Sequence, residues 1–222
     1  MRLALLGPPG AGKGTQASRI CEAFDLLHLS SGDLLRAEKL NNSPLGKKIR
    51  EYIDNGRFVP DELMINIMQN KITALIRQGF VLDGFPRTLS QAEALAKMLT
   101  ALQRPLWLVV NLAVDPAVLT RRFEGRRICP VCLSVYHIEL MPPMVADVCD
   151  HDGARLVIRP DDLPSVVRTR IQTYHQTIAP LLAFYRSGAL LCDIDASGSV
   201  DQVWGLIKNR LESCGAGNER LQ

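Results

Sequence analysis

Five short apolar runs punctuate the chain: RLALLG at 2–7, LLHLS at 26–30, FVLDG at 80–84, LWLVVNL at 106–112 and ALLCDID at 189–195. Each is bounded by Gly, Pro or polar residues and lacks strict alternation, as expected of parallel strands covered on both faces. The stretches between them space their apolar positions as helices do: 13–24, 31–55 broken at Ser43-Pro44, 61–77, 88–102, 115–124, 162–186 and 199–213. Strand and helix in alternation predict an α/β fold, a doubly wound parallel sheet of about five strands flanked by helices.

The pattern fails at residues 125–160. Helical spacing stops, Pro and Cys become frequent, and VCLSVYHIEL and ARLVI alternate like short antiparallel strands, which predicts a small inserted β-rich subdomain. The final GAGNERLQ has no apolar face and is expected to be disordered. At 222 residues and 47% apolar, the chain can bury one sizeable core together with such an insertion. A net charge of +3 is too small to argue for nucleic acid or a membrane surface, so any electrostatic site must be local. The longest apolar run is strand-sized, well short of the roughly 18 residues that a membrane span needs. MRLALL resembles the opening of a signal peptide, but a glycine-rich loop interrupts it at Gly7, and a cytoplasmic location is expected.

That loop, GPPGAGKGTQ at 7–16, matches the phosphate-loop pattern G-x-x-x-x-G-K-[ST] except at its last place, where Gly14 stands and Thr15 follows one residue late. Gly7, Gly10, Gly12 and Gly14 let backbone N–H groups turn inward around a phosphate, and the following helix offers its positive end. Lys13 adds a mobile charge for the β- and γ-phosphates. The sheet is therefore expected to be of the phosphate-loop NTPase type. A second constellation is FVLDGFPRT at 80–88: Asp83 ends an apolar strand, where such proteins place the carboxylate that holds magnesium through water. Arg36, just after SSGD, and Arg87, after Gly-Phe-Pro, both follow strands and emerge at the ligand-binding edge of the sheet.

GPPGAGKGTQ, LSSGDLLR, NGRFVPDEL, LDGFPRTLSQAEAL, RRFEGRR and RPDD with VVRTRIQTYH occur in this order over almost the whole chain. The set resembles the adenylate kinases in their long-lid form, in which the G-K-G-T loop ending is the family's own. The resemblance implies reversible, Mg2+-dependent transfer of the ATP γ-phosphoryl group to AMP, giving two ADP, in a monomer. It also implies a core of residues 1–124 and 161–222, an AMP-binding segment at 30–60 and a lid at 125–160. Carried over by position, Gly10, Ala11, Gly12, Lys13, Gly14, Thr15, Arg122, Arg126 and a carbonyl near Gly198 would hold ATP. Ser31, Gly32, Arg36, Arg57, Val59, Gly84, Arg87 and Gln91 would surround AMP, with Gln91 reading the adenine edge. Arg159 and Arg170 would reach the phosphates. Ser31 replaces the family's usual Thr and keeps the hydroxyl.

The residues explain such a reaction directly. An acceptor phosphate is already an anion and needs no general base, and no His lies at a catalytic place in these motifs. Bringing two polyphosphates end to end instead demands fixed cations: Lys13, Arg36, Arg87, Arg122, Arg126, Arg159, Arg170 and magnesium. Arg126 and Arg159 lie at the two ends of the insertion, so its closure would carry both onto the phosphates.

Within the insertion, Cys129-x2-Cys132 is followed, after 16 intervening residues, by Cys149-x2-Asp152. Paired x2 spacings form two-knuckle structural zinc sites, with Asp152 as an oxygen ligand in the fourth place and His151 as its rival. The resemblance supports the reading, since some long-lid members carry Cys-Cys-Cys-Asp or four cysteines around structural zinc. Leu133 stands where a glycine commonly follows the second cysteine, which predicts strain in the first knuckle. Three other readings stand beside this one: a UMP, CMP or GMP kinase differing at the base pocket, a non-enzymatic nucleotide switch, and a zinc-ribbon nucleic-acid module. The last lacks interleaved aromatics to stack bases.

Overall fold

The computed structural model describes every residue except Asn42, Ile76, Arg77 and residues 219–222. Strands β1 (Arg2–Leu6), β2 (Leu27–Ser30), β3 (Phe80–Asp83), β4 (Leu108–Ala113) and β7 (Leu191–Asp195) form one parallel sheet in the order β2-β3-β1-β4-β7. Both faces are covered, which is why the strands read as unbroken apolar runs. Ala4, Leu6, Leu82 and Val109 pack on one side, whereas Leu3, Leu5, Val81 and Val110 pack on the other.

The helices are α1 (Lys13–Phe24), α2 (Ser31–Leu40), α3 (Pro44–Ile53), α4 (Asp61–Leu75), α5 (Leu89–Ala101), α6 (Pro116–Gly125), α7 (Pro164–Ser187) and α8 (Val200–Asn218). Their starts obey local chemistry. Ser30, Ser43, Thr88 and Asp115 each cap a helix N-terminus with a side-chain oxygen, and Pro follows the cap in α3 and α6. Register aligns Ser30 with Asp83 and Asp83 with Leu5, so the loops after β1, β2 and β3 leave the sheet together.

Between α6 and α7 lies the insertion, where β5 (Arg126–Ile128) and β6 (Val135–His137) pair antiparallel. The expected strand ARLVI does not form. Arg155 bridges Val148 and Val157 bridges Ile128, so its neighbours pair with two different segments and no continuous ladder arises. VCLSVYHIEL contributes only Val135–His137 as strand, because the residues before it turn around Cys129. The helix expected at 162 begins at Pro164, after a 3-10 turn at Pro160–Asp162. The disordered tail expected from Gly215 is corrected in part: α8 runs on to Asn218, and residues 219–222 lie outside the described residues.

Candidate active site

The opening loop wraps into α1 with Gly7, Gly10 and Gly12 all at positive φ. A Cβ at Gly10 would meet the Phe123 ring at 2.9 Å, so α6 leaves no room for a side chain there. A Cβ at Gly14 would face Asp83 Oδ2 at 3.4 Å, so a hydroxyl at the consensus place would share its space with the strand-end carboxylate. Lys13 Nζ donates to Gly7 O at 2.8 Å and Pro8 O at 2.9 Å. Burial pushes its ammonium down to about 7, and Arg87, Arg170 and Arg126 add to the fall while Asp83 opposes it.

A cleft of about 920 Å³ opens above this loop. Its walls include Gly10, Gly12, Lys13, Gly14, Thr15, Gly32, Arg36, Asp83, Gly84, Arg87, Arg159 and Arg170 from the predicted set. The insertion closes the far side with Leu133, Ser134, Val135 and Tyr136, none of which the sequence singled out for this wall. Arg87 is held from below: its Nε donates to Gly84 O at 2.6 Å, its Nη2 reaches Ser31 Oγ at 3.5 Å, and its guanidinium lies 5.2 Å from the centre of the Phe58 ring. Ser31 is buried and donates to the same Gly84 carbonyl at 2.7 Å. Burial and neighbouring cations push Arg87 and Arg159 down to about 10. Arg36 Nε and Arg159 Nε are buried and have no hydrogen-bond partner among the described residues. Such donors are costly unless an anion accepts from them.

Arg122 and Arg126 do not line the cleft. Arg122 clips two loops together, donating to Ala11 O at 3.3 Å, Ala196 O at 2.8 Å and Gly198 O at 2.9 Å. Ala11 is itself buried under the loop. Arg126 forms a two-pronged pair with Asp162, one bond being Nε to Oδ2 at 2.6 Å and the other Nη2 to Oδ1, and lies over the Phe123 ring. Arg170 donates to Asp161 Oδ2 at 3.0 Å and Asp162 Oδ1 at 3.3 Å. The two aspartates of RPDD thus hold two arginines in place, a role their motif did not disclose.

A smaller pocket of about 70 Å³ adjoins the cleft, lined by Gly32, Arg36, Arg57, Val59, Arg87, Gln91 and Arg170 among others. Leu35, Ile53, Phe58 and Met64 supply its apolar walls, as a flat heterocycle requires. Gln91 is buried there, with its side-chain oxygen accepting from Arg87 N at 2.8 Å. Arg57 also lies 5.8 Å from the centre of the Tyr52 ring.

Cys129, Cys132, Cys149 and Asp152 gather so that one ligand atom of each lies within 4.8 Å of all the others, an arrangement that could hold a metal ion. Cys129 Sγ lies 3.2 Å from Asp152 Oδ2, and Cys132 Sγ lies 3.5 Å from Cys149 Sγ. Backbone N–H groups of Val131 and Cys132 point at Cys129 Sγ, each at 3.4 Å. The Ala154 N–H holds the Asp152 carboxyl well below the usual carboxylate range. His151 stands outside this group and lines the cleft instead. Leu133, expected to strain the first knuckle, adopts φ 64, a left-handed conformation that favours glycine.

A glycine-rich loop at a strand end, a carboxylate beside it and buried arginines converging on two adjoining pockets define a phosphate-loop nucleotide phosphotransferase. Comparison with known proteins agrees. The sequence profile of the family described as adenylate kinase matches residues 5–190. An adenylate kinase of Carboxydothermus hydrogenoformans is 44% identical over 96% of this chain and 100% of its own length. One of Caldanaerobacter subterraneus subsp. tengcongensis is 44% identical over 95% of this chain and 96% of its own. One of Archaeoglobus fulgidus is 42% identical over 96% of this chain and 98% of its own. The chain belongs to the adenylate kinase family, and its reaction is phosphoryl transfer from ATP to AMP, giving two ADP. ATP, AMP and ADP are its small-molecule partners, and Mg2+ accompanies ATP. No helix of the described residues is long and apolar enough to cross a membrane.

Proposed function

We propose that the large cleft receives ATP and the small pocket the base of AMP, with the arginines between them acting on the transferring phosphoryl group. The observation that carries this reading is the convergence of Lys13, Arg36, Arg87, Arg159 and Arg170 on one cleft, two of them with buried Nε donors that have no partner among the described residues. Gly10 through Thr15 cradle the donor phosphates, and Lys13 leaves the carbonyls of Gly7 and Pro8 for them. Arg122, with the carbonyl of Gly198, shapes the donor-base end. Arg36 and Arg87 hold the acceptor phosphate, while Ser31, Gly32, Arg57, Val59, Gly84 and Gln91 enclose the acceptor nucleotide.

The cations act by lowering the repulsion between two polyphosphates and by stabilising charge that builds on the transferring group. One well-placed arginine is worth about 10³ to 10⁵ in rate. Asp83 suits magnesium as a hard oxygen donor beside Gly14, with Lys13 bonded to loop carbonyls instead. When bound, that ion supplies further positive charge at the β- and γ-phosphates. Residues 125–160 serve as a lid over a core of 1–124 and 161–222, with 30–60 as the acceptor segment. Arg126 and Arg159, at the base of the lid, link its position to the phosphates.

In the lid, three thiols and one carboxylate within 4.8 Å suit zinc, and Asp152 is the fourth ligand in preference to His151. Four protein ligands leave no open coordination place, so the metal is structural. The protein acts as a cytoplasmic monomer.

The test is diphosphate formation from MgATP with AMP, UMP, CMP and GMP offered separately. Fast transfer confined to AMP is expected. Equal transfer to another monophosphate would overturn the role of Gln91 and leave the arginine assignments standing.

A further inference from the structure

A ring of hydrogen bonds behind the acceptor pocket ties Gln91 to Thr88 and to Asp61, a residue outside every role assigned so far. Asp61, the first residue of α4, accepts from Gln91 Nε2 through Oδ1 at 2.7 Å and from Thr88 Oγ1 through Oδ2 at 2.7 Å. Thr88 Oγ1 in turn accepts from the backbone N–H of Gln91 at 3.2 Å. On its other side, Gln91 Oε1 accepts from the backbone N–H of Arg87 at 2.8 Å.

The chemistry of these partners fixes the direction of every bond. A backbone N–H can only donate, so the Gln91 oxygen must face Arg87. A carboxylate can only accept, so the Gln91 nitrogen must face Asp61. Turning the amide over would set Oε1 against the Asp61 carboxylate and Nε2 against the Arg87 N–H, losing both bonds and adding two repulsions. Gln91 is 1% exposed, so water cannot repair the loss. What the amide has left to offer the pocket is its second N–H and the second lone pair of its oxygen, in one fixed arrangement.

This matters because a glutamine that is free to turn over reads two opposite base edges equally well. Adenine presents an accepting ring nitrogen beside a donating amino group. A 6-oxo purine presents the same two places with the roles exchanged, at nearly the same size and shape. We infer that Asp61 is a specificity-determining positioning residue: by pinning the Gln91 amide in one orientation, it makes the acceptor pocket choose a 6-amino over a 6-oxo purine monophosphate. The inference rests on the proposed contact between Gln91 and the acceptor base.

The experiment compares AMP with inosine monophosphate as acceptor, each with saturating MgATP, in the full-length wild type and in Asp61→Ala, Thr88→Val and Gln91→Ala. The readout is the ratio of kcat/KM for the two acceptors. Both values come from one preparation, so a reduced folded fraction cancels. In Asp61→Ala the ratio is expected to fall by about tenfold or more, chiefly through a higher KM for AMP, with KM for ATP unchanged. Thr88→Val removes the hydroxyl that steadies Asp61 and leaves the carboxylate in place, and it is expected to lower the ratio by about threefold. It serves as the second variant if Asp61→Ala folds poorly. A wild-type ratio in both variants, beside a ratio that collapses in Gln91→Ala, would overturn the role of Asp61 alone. A wild-type ratio in Gln91→Ala would remove the base contact itself, and the inference with it.

Discussion

The central sheet buries leucine, isoleucine and valine on both faces, whereas the insertion between α6 and α7 packs a single small cluster of Cys129, Tyr136, Cys149 and Leu156, with Ile128 and His137 buried beside it. Each fully buried aliphatic side chain in the sheet contributes about 1.5 to 3 kcal/mol. Of the six residues buried between 126 and 160, two, Cys129 and Cys149, belong to the candidate metal cluster. Val131, Leu133, Met144 and Val145, which would enlarge a core, are exposed there instead. A segment this small gains little from burial, so a cross-link such as the proposed metal would contribute a large share of its order. With the proposed metal bound, one chain would carry two kinds of stability, one spread over many contacts and one concentrated in a few atoms.

The strongest way to break this contrast is to remove the metal proposed for the cysteine cluster. Structural zinc contributes an apparent ~10 to 16 kcal/mol to small zinc peptides at neutral pH. Chelation, or Cys149→Ser, is therefore expected to abolish amide-exchange protection across β5 and β6 while β1 and β4 keep theirs. Equal loss in both regions would show that the insertion and sheet form a single cooperative unit.

Next in size is the joint between the two regions. The Asp162 side chain is 0% exposed and serves both Arg126 and Arg170. Asp162→Asn leaves two arginines short of a buried counter-charge and should cost about 3 to 5 kcal/mol in urea unfolding. A cost below about 1 kcal/mol, the range of exposed pairs, would mean that solvent reaches this joint.

Within the sheet half, burial lowers the Lys13 ammonium to about 7. Its folded value lies below its unfolded one, so from about pH 7 up toward the ordinary lysine value the unfolded chain binds more protons and stability rises with pH. ATP restores the charge, so binding at pH 8 should take up a fraction of a proton. Calorimetry in buffers of different ionisation enthalpy measures it, and no uptake in the wild type would show Lys13 already charged.

The smallest effects come from one misfit in each region. Leu133 holds φ 64, and Leu133→Gly should stabilise the metal-loaded insertion by about 1 kcal/mol, read from local exchange. Tyr185 buries its hydroxyl without a partner among the described residues, and Tyr185→Phe should raise global stability by about 0.5 to 1 kcal/mol. A destabilising Tyr185→Phe would reveal a water bonded to that hydroxyl.

What the sequence disclosed follows the same division. Strands, the loop and the cysteine knuckles are local patterns, and the structure places them within a few residues of expectation. Leu133 was legible because a knuckle turn fixes its backbone whatever surrounds it. ARLVI was misread because its alternation is local while its pairing partners, Ile128 and Val148, are not. Asp61, Asp161 and Asp162 were passed over as sites for a similar reason. An aspartate at a helix start reads as a cap, and its arginine or glutamine partner is known only once the chain has folded.

The Arg126–Asp162 pair has one more effect, on how the gene for such a protein can vary. It brings the two ends of the insertion side by side, as a clasp of fixed width at its neck. Doubling the length of chain beyond the clasp would add only about 0.6 kcal/mol of closure entropy. The segment can therefore be lengthened, trimmed or replaced as a cassette, provided the two residues at its neck are retained.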